Sequence, residues 1–304
     1  MPLQPARVAE LGPEPTAGEF VRTHLGELSR ELRALDPLVR RDVPDALHQY
    51  RVTVRRLRAA LVTFRRLFDE EVTELLRAEL WWLGRELAAA RDAEVVRERL
   101  LELVDAEPPE LVRGPVRRRI DASMTLRRRA GQAAAVRALD SARLANLIDR
   151  LDTVVAGAAL RPERAAGGPK ELHKALKQSV RRWRRRLDAL EELDATPSPE
   201  LDTRLHDVRK ASRRARYAAE AVTPVLGASA EELAEAMHDA QDLLGGHQDG
   251  TVAAAALSEL AAEAAAAGED TFTYGRLHAR EKAAGERAAA EAMVMLVDLA
   301  QKVS

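Results

Sequence analysis

Two stretches of this chain carry histidine and arginine at the same offsets, and side chains of those types at that spacing are suited to holding a densely anionic ligand. The first comprises His48, Arg51, Arg55, Arg56 and Arg58; the second comprises His206, Arg209, Arg213, Arg214 and Arg216, with Lys210 beside them. At about 100° per residue of helix, His48, Arg51, Arg55 and Arg58 fall within a stripe of roughly 80°. Val54, Leu57, Leu61 and Phe64 cluster on another flank, and in the second copy Leu205, Val208 and Ala215 do the same. Each guanidinium offers a planar fork of donors that matches two oxygens of a phosphate. Same-face residues three or four apart lie only about 5–6 Å from one another. Stacked cations therefore repel until an anion reverses the sign of that interaction.

A third stripe runs through Lys170, His173, Lys174, Lys177, Arg181 and Arg184, opposite Leu172, Leu176, Trp183 and Leu190. Arg22 and Arg33 form a thinner one in the first half. An arginine-rich helix is often just a solvated face neutralised by acidic neighbours. Two facts argue against that here: the offsets repeat, and no acidic residue interrupts the six arginines between Ala46 and Phe68. The formal net charge is only -1, so the basic blocks, which also include 113–129, are balanced by acid placed elsewhere. Such segregation points to a specific polyanion site more than to general adsorption.

Other chemistry is thinly supported. There is no cysteine, which excludes disulfides and thiolate ligands. His48 and His206 lie among cations, where a histidine donates to an anion but would share no metal. His238 and Asp242 have the i, i+4 spacing of a metal pair, yet two residues on one turn are more simply surface or capping groups. No phosphate-binding glycine loop, zinc-protease motif or nucleophile elbow occurs. The chain reads as non-enzymatic, with no cofactor and no metal. Binders of single-stranded nucleic acid interleave aromatics with cations. Aromatics make up only 3% of this chain and fall mostly on apolar flanks, so a ligand of phosphate without bases fits better.

The elements that must position these residues are helices. Ala, Leu, Arg and Glu dominate, apolar residues total 46%, and β-branched or aromatic runs are missing. Periodicity predicts helices over 19–35, ending near Pro37; over 44–68, with Pro44 in the first turn; and over 71–90, continuing to 104 before Pro108-Pro109. Further helices are predicted over 113–136 and 141–155. Residues 157–169, rich in Gly and Pro, read as a linker. Helices then follow over 170–193, 200–222 (ending at Pro224), 230–244, 248–267 and 270–303. The expected organisation is a flexible lead at 1–17, a first half at 18–156, the linker, and a second half at 170–304. Each half has about four helices joined by short connections, as in antiparallel bundles. The sequence Leu87 to Val95 echoes Leu244 to Val252. It places Asp92 and Asp249 at helix junctions, suited to capping or to orienting a ladder arginine. With no signal peptide or apolar span, the expected setting is cytoplasmic.

The paired H-x-x-R-x-x-x-R-R-x-R pattern, with its R-D/Q-D junction one helix later, resembles the CHAD family, the conserved histidine α-helical domain. The resemblance covers nearly the whole chain, from about Glu19 to Val303. It implies an all-α fold of two pseudo-symmetric four-helix bundles, duplicated, with basic helices facing a central groove or pore. It also implies inorganic polyphosphate as the partner and association with polyphosphate granules. By resemblance, binding falls to His48, Arg51, Arg55, Arg56, Arg58, His206, Arg209, Lys210, Arg213, Arg214 and Arg216. Lys170, His173, Lys174, Lys177 and Arg181 join them on position and charge, and Asp92 and Asp249 support from behind. Two alternatives stay open at this level. One is a phosphoanhydride-processing accessory factor that accepts phosphate on His48 or His206; the other is a basic module docking acidic proteins or nucleic acid.

Overall fold

The computed structural model describes residues 11, 12, 14–193 and 196–303, and these are helical with no named strand among them. The expected lead at 1–17 lies largely outside the described residues. Thr16 opens the first helix with a capping box: its hydroxyl accepts from the Glu19 backbone N–H while the Glu19 carboxylate accepts from the Thr16 backbone N–H. The helices are α1 (Ala17–Arg40), α2 (Ala46–Thr63), α3 (Glu70–Glu86), α4 (Ala88–Asp105), α5 (Val116–Leu139) and α6 (Ala142–Val155), then α7 (Pro162–Ala165), α8 (Pro169–Glu191), α9 (Pro199–Leu226), α10 (Ala228–Leu243), α11 (Gly245–Ala266) and α12 (Phe272–Lys302). None is long and apolar enough to cross a membrane.

Several boundaries correct the expectations. Pro37 and Pro224 lie inside α1 and α9 instead of ending them. Interior proline costs a helix about 3 kcal/mol. Here the residues beyond it are held by burial: Val39 is in the core, and Val225 and Leu226 pack against it. Pro44 lies outside α2, because Asp45 adopts a left-handed conformation (φ 65°) and the helix opens at Ala46. The run 71–104 is two helices separated by Leu87 alone, just as Leu244 alone separates α10 from α11. Gly245-Gly246 therefore starts a helix rather than stopping one. Asp92 and Asp249 each lie one turn inside α4 and α11, too far in to be caps.

The chain forms two compact units, each drawing on both halves of the sequence. Of the described residues, the first holds those within 1–87, 134–185 and 210–238, and the second those within 88–133, 186–209 and 239–304. In the first, α1, α2, α3 and α6 pack in a closed cycle, α1 against α2 and α6, and α3 against the same two. Their apolar stripes, including Phe20, Leu57, Phe64 and Leu147, make one continuous core. The stretch 157–169 is built into this unit. Leu160 forms an antiparallel bridge with Phe68, the Asp69 N–H donates to Ala159 O at 2.8 Å, and the Arg161 N–H donates to Leu67 O at 2.8 Å.

The second unit is organised by α11 lying along α12, with α4 against α11. Gly250 permits that approach: a Cβ there would stand 3.1 Å from Glu281 O and 3.3 Å from Gly285 Cα. Its core includes Leu100, Ile120, Leu257 and Leu277.

Candidate anion-binding groove

The apolar flank of α2 is buried as its periodicity requires: Val54, Leu57, Leu61 and Phe64 are each at most 1% exposed. That leaves Arg55 and Arg58 half-buried along the flank's edge. In the same compact unit, α9 buries Ala215 and Ala218 and so presents Lys210, Arg213 and Arg214. These five cations from the two sequence copies line one open groove of about 630 Å³. Helix α3 completes it with Glu74, Arg77, Ala78 and Trp81.

The electrostatics are those of cations brought close together. Burial, then Arg214, then Arg77 push the Arg58 guanidinium below its ordinary range. Burial and the cations Arg65, Arg185, Arg214 and Arg66 do the same to Arg182 on α8. Helix α8 is fixed in place by Trp183, fully buried, whose indole N–H donates to the Ser212 hydroxyl at 2.9 Å. The buried Nε of Arg55 makes no hydrogen bond among the described residues. One carboxylate, Glu74, lies within the groove, paired with Arg77.

The two copies meet reciprocally. Arg56 and Arg216 converge on Glu220, at 3.5 and 3.2 Å, and both guanidiniums lie over the Tyr217 ring, at 5.9 and 5.1 Å. His238 accepts from Arg216 through Nδ1 at 3.3 Å, so it serves the ladder. No group of three His, Asp or Glu side chains is placed to hold a metal ion among the described residues.

Other predicted residues fall elsewhere. His48 and Arg51 are half-buried on α2 but do not line the groove. Lys170, His173, Lys174, Lys177 and Arg181 occupy the exposed face of α8, where Lys174 donates to Glu171 at 2.6 Å. His206 and Arg209 belong to the second unit. There His206 Nδ1 meets Gln248 Oε1 at 2.8 Å, which makes Nδ1 the protonated nitrogen. Thus the junction glutamine beside Asp249 orients a ladder residue.

Two basic segments turn out to be structural. Arg22 donates to Val155 O at 3.0 Å and Arg33 to both oxygens of Asp152, tying α1 to α6. In the block 113–129, Arg119 pairs with Glu269 and Arg127 with Glu259 and Glu263. Conversely, Arg77, Arg182 and Trp81 emerge only from the fold. Trp81 did leave a trace, since it falls outside the buried Leu76, Leu80 and Leu83 set of α3.

Comparison with known proteins agrees with this architecture. The CHAD domain model matches residues 23–258. Two uncharacterized proteins of Mycobacterium tuberculosis, MT2285 (strain CDC 1551 / Oshkosh) and Rv2226 (strain H37Rv), are each 35% identical over 277 residues, which is 91% of this chain. The chain spans about half their length, 52% in each case. Among solved structures, PptA from Streptomyces chartreusis aligns at TM-score 0.72 and 25% identity over 95% of this chain and 99% of its own. The crystal structure of the CHAD domain from the plant Ricinus communis aligns at TM-score 0.73 and 25% identity over 96% of each. With its repeated His/Arg helices brought into an all-helical fold of this kind, the chain belongs to the CHAD domain family.

Proposed function

We propose that this protein binds inorganic polyphosphate, without transforming it, on the cations of the α2–α3–α9 groove. The observation that carries the reading is the convergence of Arg55, Arg58, Lys210, Arg213, Arg214 and Arg77 on one groove, where Arg214 and Arg77 raise the cost of charging Arg58. A folded chain does not gain stability from such a cluster. A phosphate chain would cancel the repulsion and accept bidentate hydrogen bonds from each guanidinium.

Arg55, Arg58, Lys210, Arg213 and Arg214 are the principal contacts in this reading, with Arg77 and Arg182 added by position. Arg56 and Arg216 bind through or beside Glu220. His48, Arg51, Lys170, His173, Lys174, Lys177 and Arg181 extend the track for a longer chain, and His206 and Arg209 are proposed as phosphate contacts of the second unit in their own right. The protein is proposed to act in the cytoplasm, at polyphosphate granules. The matching breaks at Leu87 and Leu244 support descent of the two sequence halves from one duplicated bundle.

The test is titration with long-chain polyphosphate and with single-stranded DNA matched in phosphate, across a salt series. Tight, salt-sensitive binding that prefers polyphosphate is expected, because displaced counterions make affinity fall steeply with salt. Equal affinity for both polymers, or a flat salt response, overturns the proposal.

A further inference from the structure

A ligand made only of phosphate leaves one side of the groove unexplained. Beside its cations the groove is lined by Ala59 and Val62 of α2 and by Ala78 and Trp81 of α3. Trp81 is 49% exposed, while Leu76, Leu80 and Leu83 of the same helix are buried. The Arg85 guanidinium lies over its ring at 4.9 Å and holds the indole in orientation. Its level along the groove follows from helix register. Gly84 faces Val54, a Cβ there standing 3.8 Å from Val54 Cγ1, so in the antiparallel α2–α3 pair Trp81 lies near Arg58. At about 1.5 Å per residue, Arg55 and Val62 are roughly 4.5 and 6 Å to either side of Arg58 along α2. An exposed flat aromatic therefore sits within one ligand's length of the guanidinium cluster.

Phosphate gains nothing from an indole face or from Val62, whereas an aromatic base gains stacking and apolar burial from both. We propose that the groove takes a phosphate chain ending in a base, a free nucleoside 5′-polyphosphate, with the base on Trp81 and the phosphates on Arg55, Arg58, Arg77 and Arg214. This rests on the reading of the groove as a phosphate-chain site and adds a second ligand class to inorganic polyphosphate. No covalent step is involved.

The test compares ATP with inorganic triphosphate, which has the same number of phosphorus atoms but one more ionisable oxygen, by calorimetry at fixed salt. Each is measured against the native protein, Trp81→Leu and Trp81→Phe. Base stacking on an aromatic is worth about 5- to 150-fold in affinity. ATP is expected to bind about tenfold more tightly than triphosphate despite its lower charge. Trp81→Leu should erase that preference, read as the ratio of ATP to triphosphate affinity in the same variant, and Trp81→Phe should keep part of it. Quenching of tryptophan fluorescence by ATP should vanish in Trp81→Leu, although Trp82 and Trp183 remain. If ATP binds no better than triphosphate, or its advantage survives Trp81→Leu, the base site is overturned and the phosphate-chain reading stands. If neither ATP, triphosphate nor long-chain polyphosphate binds, both readings fail.

Discussion

Arg56 and Arg216 share one carboxylate, Glu220, though they stand at different places in the repeated motif. Arg56 is eight residues after its histidine and Arg216 ten after its own. The complementary pair, Arg58 and Arg214, has the offsets exchanged and also meets, here as mutually repelling cations. The two helices are thus related like the halves of a self-complementary contact, where position i meets j and j meets i. One crossing is neutralised by Glu220. The other lines the groove.

Glu220 is accordingly a brake on anion affinity. Glu220→Ala releases two guanidiniums beside the groove. A charge pair of this exposure is worth about 0.2–1 kcal/mol, so polyphosphate should bind about 1.4- to 5-fold more tightly, with a steeper salt dependence. Titration in two salt concentrations checks both, and weaker binding would reverse the assignment.

Arg58 and Arg214 should trade stability for binding. Arg58→Gln removes a repulsion from Arg214 and Arg77, so the melting temperature should hold or rise slightly while polyphosphate affinity falls about tenfold, and Arg214→Gln should lower that affinity as well. By contrast, Arg119→Gln breaks a pair with Glu269 and should lower the melting temperature slightly with binding intact. Thermal melts and titrations of the three variants separate groove cations from structural ones.

Glu107, whose side chain is wholly buried, is held by Arg276 and Arg280 on the rim of the second unit. The arginines are about two-fifths exposed and can rehydrate, whereas the carboxylate cannot. Removing both arginines as alanines should cost about 3–5 kcal/mol, the penalty for an unpaired buried charge. Glu107→Ala should cost clearly less. Urea denaturation gives both values; equal losses would mean that packing, not charge burial, sets the cost.

His24, stacked on Phe20 with ring centroids 6.1 Å apart, has its pKa lowered to about 4 by burial and by Arg56. Unfolded, it would titrate near 6.5, so between those values the unfolded chain binds more protons. Stability should be complete above about pH 6.5 and fall as the pH drops toward 4. His24→Phe keeps the stacking and removes the proton site. Its urea midpoint should change less than that of the native protein between pH 7 and 4.5.

The helices and their apolar faces were legible along the chain because a period near 3.6 records which side of each helix is buried. Val54, Leu57, Leu61 and Phe64 follow it, as do Leu205, Val208 and Ala215. Interior prolines were misread for the opposite reason. The burial of Val39 and the packing of Val225 that offset their cost come from distant segments. The basic blocks looked alike in sequence, yet the 113–129 block found acidic partners and Arg58 found Arg214.

Composition, spacing and repetition by themselves establish an all-helical protein with two matched cationic ladders, since those properties are local to each helix. Which ladder residues face one another, which arginines are neutralised, and that Trp81 stands beside Arg58 depend on the packing of helices far apart in the chain. Periodicity marks the face a helix turns inward. It carries no record of the side chains that face will meet, and the chemistry of the groove arises from those meetings.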